Sequence, residues 1–167
     1  MYQFQRTQRI PATAAQVWDF ISSPRNLAEI TPANMGFELT SPQLPEKMHA
    51  GLLIGYNIRP LLGIKIKWVT QIAEVGEPDY FIDEQLKGPY RLWRHEHRMR
   101  AIDGGIEMTD MVSYLPPLGI IGRLANWLFL QRQLDNIFDY RYARIEQRFG
   151  RYPAGTLRQA QGDNLPN

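Results

Sequence analysis

Two segments of alternating character, residues 93–102 and 105–114, flank the dipeptide Asp103-Gly104. Such a dipeptide between alternating runs is a strong local signal for a hairpin closed by a two-residue turn. Closing it there pairs Ile102 with Gly105, and hence Met99 with Met108, His97 with Asp110, His95 with Val112 and Trp93 with Tyr114. Cross-strand partners share a face and each face repeats every second residue, so the last four pairs lie on one side of a sheet.

The same register extends across the preceding strands. A turn centred on Pro89 sets Trp93 against Gln85, His95 against Asp83 and His97 against Phe81. Pairing Val75 with Tyr80 then places Ile72 opposite Asp83 and Thr70 opposite Gln85, with Trp68, Ile66 and Ile64 on that side. A turn near Leu61 brings Ile54 and Tyr56 opposite Trp68 and Ile66. The other face reads Lys65, Lys67, Gln71, Arg94, Glu96, Arg98, Arg100, Glu107 and Thr109, which belongs in water. The first face is therefore the inner one, yet Thr70, Asp83, Gln85, His95, His97 and Asp110 stand on it among the apolar residues. Each unsatisfied buried polar group costs about 1–3 kcal/mol, so these side chains require partners, water or a ligand.

Elsewhere the chain supplies a strand from Tyr2 to Ile10, ended by Pro11. A capping box of Thr13 and Gln16 starts a helix carrying Val17, Trp18 and Ile21 on one face. Ser23-Pro24 opens a second short helix that carries Leu27 and Ile30 and stops before Pro32. Turn residues then recur every ten to fourteen positions, as in a meander of hairpins. Past Pro116-Pro117 the period becomes helical, through Leu124, Leu128, Leu134, Ile137, Phe138, Ile145 and Phe149, with Gly150 as the stop. The expected fold class is α+β, one curved antiparallel sheet wrapped around a long C-terminal helix, with two short helices after the first strand. A chain of 167 residues suits one domain, residues 1–150, followed by a disordered tail, residues 151–167.

Several function classes fall away on composition. Without cysteine there is no disulfide framework, thiolate nucleophile or thiolate metal site. The first residues lack the apolar block of a signal peptide, so a cytoplasmic location is expected. Residues 115–130 form the longest apolar stretch, but Pro116, Pro117, Gly119, Gly122 and Arg123 interrupt it and it is shorter than the ~20 residues of a membrane span. A net charge of +2 with scattered lysines and arginines gives no basic stripe for nucleic acid.

The opening residues 9–27, RIPATAAQVWDFISSPRNL, resemble the start of the START/Bet v 1-like superfamily, also called SRPBCC or polyketide cyclase/dehydrase. The segments FIDEQ (81–85), GPY (88–90), WRHEH (93–97) and QLDNIFDYR (133–141) are similar to a bacterial branch of it. The resemblance implies a helix-grip fold with a cavity between sheet and last helix, and a lipophilic small molecule as its partner. No characterised member's functional residues map onto this chain, so the candidate site comes from the face assignment alone.

Two functions follow from that face. In the first, Tyr56, Trp68, Thr70, Phe81, Gln85, Trp93, Met99, Met108 and Tyr114 line a binding cavity for a hydrophobic or amphipathic molecule. In the second, His95 and His97 with Asp83 and Asp110 are acid–base couples of a cyclase or dehydratase. A buried network that only satisfies the wall is the plainer alternative. His95 and His97 share a face and could bind a metal, but two alternate strand positions plus acids give no recognised ligand set, so neither a metal nor another cofactor is expected. Arg132 and Arg141, with Gln131, are candidates to orient a ligand carboxylate or hydroxyl, but read first as solvated, or paired with Asp135 and Asp139 along the helix. The apolar start of the last helix leaves open a cavity mouth, transient membrane contact or a dimer interface, the chain being a monomer or homodimer without stable membrane insertion.

Overall fold

The computed structural model describes residues 1–59, 63–117, 119 and 129–153. The turn expected near Leu61, the helix start at Leu124 and Leu128, and the tail beyond residue 153 lie outside the described residues.

Among those residues seven strands form one antiparallel sheet: β1 (Tyr2–Ile10), β2 (Glu38–Leu39), β3 (Leu53–Ile58), β4 (Ile66–Gly76), β5 (Tyr80–Lys87), β6 (Leu92–Ile102) and β7 (Gly105–Leu115). Their spatial order is β1-β7-β6-β5-β4-β3-β2, so the hairpin meander from β2 to β7 is closed by β1 returning beside β7. Helix α1 (Ala14–Ile21) follows β1, and helix α2 (Gln131–Phe149) follows the sheet. This is the expected α+β plan of a curved sheet gripping a C-terminal helix.

Local chemistry accounts for the helix ends. The Thr13 hydroxyl accepts from the Gln16 amide and the Gln16 side chain accepts from the Thr13 amide, which completes the capping box. Val17, Trp18, Phe20 and Ile21 are buried, with Trp18 edge-on to Phe81 across the core. The second short helix differs from expectation: Pro24–Ala28 is a 3₁₀ turn, and the Ser23 side chain makes no capping bond. Helix α2 buries Leu134, Phe138 and Ile145, and stops where Gly150 adopts φ +91° and its amide donates to the Glu146 carbonyl. It is tied to the sheet by Gln8 Nε2 donating to the Tyr142 carbonyl and by Phe4 packing on Phe138. Among the described residues no helix is long and apolar enough to cross a membrane.

The β6–β7 register is the one expected from Asp103-Gly104, from Ile102–Gly105 to Trp93–Tyr114. Between β5 and β6, His95 faces Asp83 and His97 faces Phe81. Two registers need correction. Val75 pairs with Phe81 and not Tyr80, because an extra residue, Ala73, bulges out of β4 between Ile72 and Glu74. Beyond the bulge the expected pairs Ile72–Asp83 and Thr70–Gln85 return. In β3, Ile54 pairs with Thr70 and Tyr56 with Trp68, two residues from the expected partners. An even shift preserves sidedness, so both side chains stay on the inner face. Ile64, expected on that face, precedes β4 and is 60% exposed. The outer face carries the ion pairs Arg94–Glu96, Arg98–Glu96 and Arg100–Glu107, as an aqueous face should.

Candidate functional site

Between the inner face and α2 lies a cavity of about 390 Å³. Its wall is mostly apolar. Ile54, Ile58, Ile66 and Ile72 come from β3 and β4, Leu134, Ile137, Phe138 and Ile145 from α2, and Ile21, Leu27, Ile30 and Met35 from α1 and the 3₁₀ turns. Pro116, Pro117, Phe129 and Leu130 border it where β7 leads towards α2.

Alternation along β5, β6 and β7 brings four titratable side chains together at one place in this wall. His95 and His97 are two positions apart on β6, and their rings lie side by side with centroids 3.8 Å apart. Below them is Asp110 of β7, whose Oδ1 lies 2.7 Å from His97 Nδ1 and 3.1 Å from His95 Nε2. On the other side is Asp83 of β5, whose Oδ2 lies 3.2 Å from His97 Nε2 and 3.6 Å from His95 Nδ1. Arg141 of α2 reaches down to Asp110 Oδ1 at 3.3 Å and is only 12% exposed. Asp83, His95, His97 and Arg141 line the cavity, while Asp110 is buried beneath them.

The electrostatics separate the two histidines. Burial holds the His95 imidazole down to about 4, assisted by the neighbouring His97 and opposed by Asp110 and Asp83. His97 feels the same burial, but the bonds to Asp110 and Asp83 prevail and raise it. Both ring nitrogens of His97 face carboxylate oxygens, Asp110 Oδ1 at 2.7 Å and Asp83 Oδ2 at 3.2 Å. Burial pushes the Asp110 carboxyl up, yet the bonds from both imidazoles and the Arg141 charge hold it well below the usual range.

Beside this cluster the Tyr56 hydroxyl bonds the Thr70 hydroxyl at 3.1 Å. Burial raises the Tyr56 phenol, which also feels the charges of Asp83 and Arg141. Further along, Trp68 stacks on Tyr56 at 5.9 Å and meets Trp93 edge-on at 5.3 Å, with Tyr90 against both indoles. Trp68 Nε1 is buried and has no hydrogen-bond partner among the described residues. The cavity thus has a charged pole, a hydroxyl pair and an aromatic wall.

Of the residues read from sequence, Tyr56, Trp68, Thr70, Phe81, Asp83, Trp93, His95, His97 and Met108 line the cavity. Gln85, Met99 and Tyr114 do not. Gln85 turns to the following loop, donating to the Tyr90 carbonyl at 2.7 Å and accepting from its amide. Met99 is buried in the core that packs against α1, and Tyr114 is 1% exposed, covered by Tyr2 and Tyr90. Arg141 is also a correction, since Asp135 and Asp139 pair with Arg6 of β1 and leave it to Asp110. Its position was legible: Leu134, Phe138, Arg141 and Ile145 fall on one helical stripe.

The architecture and the cavity define a Bet v 1-like protein fold, the helix-grip α+β class. Among solved structures the chain is similar to protein TTHA0849 from Thermus thermophilus, at 15% identity and a TM-score of 0.66, covering 89% of this chain and 97% of that one. Major latex-like protein 151 from Panax ginseng aligns at 14% identity and 0.64, over 89% and 97% of the two chains. Ara h 8.0201 aligns at 13% and 0.58, over 87% and 98%. No protein-family model and no curated protein sequence matches the chain. Identities this low establish the shared fold, which by itself does not dictate an activity.

Proposed function

We propose that the chain binds a hydrophobic or amphipathic small molecule inside the cavity. The supporting observation is a mostly apolar space of about 390 Å³ with a few polar side chains in its wall, Thr70, Asp83, His95, His97 and Arg141 among them, the usual make-up of a small-molecule site. An apolar body would lie along Ile54, Ile72, Ile137 and the aromatic wall, and a polar end would meet Tyr56, Thr70 and the His–Asp–Arg cluster. Native mass spectrometry of protein purified from its own host tests this. A co-purifying species of matching size supports the reading. A chain that remains at its bare mass, and takes up no member of a panel of fatty acids, sterols and flat aromatics, refutes it.

A cyclase or dehydratase is the second reading, favoured by the opposite shifts of the two imidazoles. A His95 held down by burial beside a His97 raised by its carboxylates would let one imidazole act as base and the other as acid, the pattern of sites that divide proton transfer between two groups. Mass spectrometry on the bound compound separates the readings. Loss of water from it over time in wild type but not in His97→Gln supports turnover, and an unchanged compound supports binding alone.

A further inference from the structure

The geometry points to a binding site for a first-row divalent transition-metal ion formed by Asp83 Oδ2, His95 Nδ1 and His97 Nε2, with Asp110 orienting both imidazoles from beneath. One donor atom from each of these three residues lies within 4.8 Å of the others. The two carboxylates are not equivalent. On the buried side, Asp110 Oδ1 lies 2.7 Å from His97 Nδ1 and 3.1 Å from His95 Nε2, the latter a hydrogen bond. On the cavity side, the separations from Asp83 Oδ2 widen to 3.2 and 3.6 Å. Two ligands of one tetrahedral ion, bound at ~2.0–2.2 Å, stand about 3.3–3.5 Å apart. The two separations from Asp83 Oδ2, 3.2 and 3.6 Å, bracket that spacing.

The surroundings match what such an ion needs. A ligating histidine characteristically gives its other N–H to a carboxylate; Asp110 Oδ1 takes that place in a hydrogen bond with His95 Nε2 and stands 2.7 Å from His97 Nδ1. Arg141 neutralises Asp110, so the ion would be compensated by Asp83 alone. Two nitrogens and one carboxylate oxygen suit zinc, cobalt or iron(II) and not calcium or magnesium, which want oxygen cages. Three protein ligands leave coordination open on the side facing the cavity, where the polar end of a bound molecule would sit. Coordination needs His97 Nε2 free of a proton, so affinity falls as the pH is lowered. This site does not rest on the small-molecule reading: dye uptake by metal-free protein and ion binding by ligand-free protein are separate measurements.

The test uses the full, untagged chain stripped with chelator and titrated with Co²⁺ in the visible region and with Zn²⁺ by calorimetry. The expected result is one ion per chain, with a cobalt d–d band. His97→Ala and Asp83→Asn weaken binding by about 100-fold or more, and Asp110→Asn by about 10–100-fold. His49→Ala, which removes the remaining, exposed histidine, leaves binding unchanged. Long-range ¹H–¹⁵N spectra of the wild type give a reading independent of any variant's folding. Saturating Zn²⁺ should leave His97 protonated at Nδ1 and metal-bound at Nε2. No ion bound at millimolar concentration, equal affinity in His97→Ala, or an imidazolium His97 persisting at saturation each overturns the site.

Discussion

Tyr56 and Tyr90 keep their phenols neutral inside the cavity wall, and this has a consequence in alkali. Burial raises both, Tyr90 up to about 12 and Tyr56 further. In an unfolded chain tyrosine ionises near ~10, so above that pH the folded state holds protons that the unfolded state has lost. Their contribution to stability is whole below about pH 10 and disappears as the pH climbs through the folded values. The urea midpoint should therefore fall between about pH 9 and 11.5, with tyrosinate absorbance showing a late-ionising class that Tyr56→Phe diminishes; a single class near 10 in folded protein would contradict the assignment. At this scale the sequence was informative about residue type and face but not about partners. His95, His97 and Asp110 follow from period-two alternation across one hairpin. Arg141 was read as solvated or paired with Asp135 and Asp139, the acids nearest it along the helix, ahead of a ligand-orienting role, whereas in the fold Arg6 of β1 takes those acids.

Among the elements, the β6–β7 hairpin is the most strongly specified. Gly104 supplies the positive φ of +73° at the turn, and Gly105 gives room for β1: a Cβ there would stand 2.1 Å from the Ile10 carbonyl oxygen. Backbone cannot move aside as a side-chain tip can. Gly105→Ala is expected to cost about 1–3 kcal/mol in chemical denaturation by forcing β1 away from β7. A loss under a few tenths would show that the end of β1 is not held there. Hairpins closed by a dipeptide turn carry their register in local chemistry, which is why β6–β7 was readable to the residue. The β4–β5 pair was not, because the bulge at Ala73 answers to sheet curvature, and no dipeptide announces it. The β3–β4 register depended on a longer connection, and only parity protected its sidedness.

For the whole molecule, the cavity is the quantity on which function turns, and filling it should separate binding from folding. Met108 lines the space from β7 and is 2% exposed. Met108→Trp places an indole where the ligand body would lie, and should reduce uptake of a hydrophobic fluorophore at least about tenfold while changing the unfolding free energy by less than about 1.5 kcal/mol. Undiminished uptake would move the binding site elsewhere. The sequence by itself determined which strand residues face inward, Ile64 ahead of β4 excepted, because side-chain period and turn chemistry are local properties; it determined the α+β plan for the same reason. It did not determine that an enclosed space exists, nor that Asp83 and Asp110 lie on opposite edges of the two imidazoles, nor that Arg141 descends onto them. Those depend on how far α2 stands from the sheet and on strand curvature, which are set by the packing of side chains distant in sequence. The same two histidines that show no metal-ligand spacing along β6 acquire a third donor from β5 only in the folded chain, since a donor set is a distance in space and not an interval in sequence.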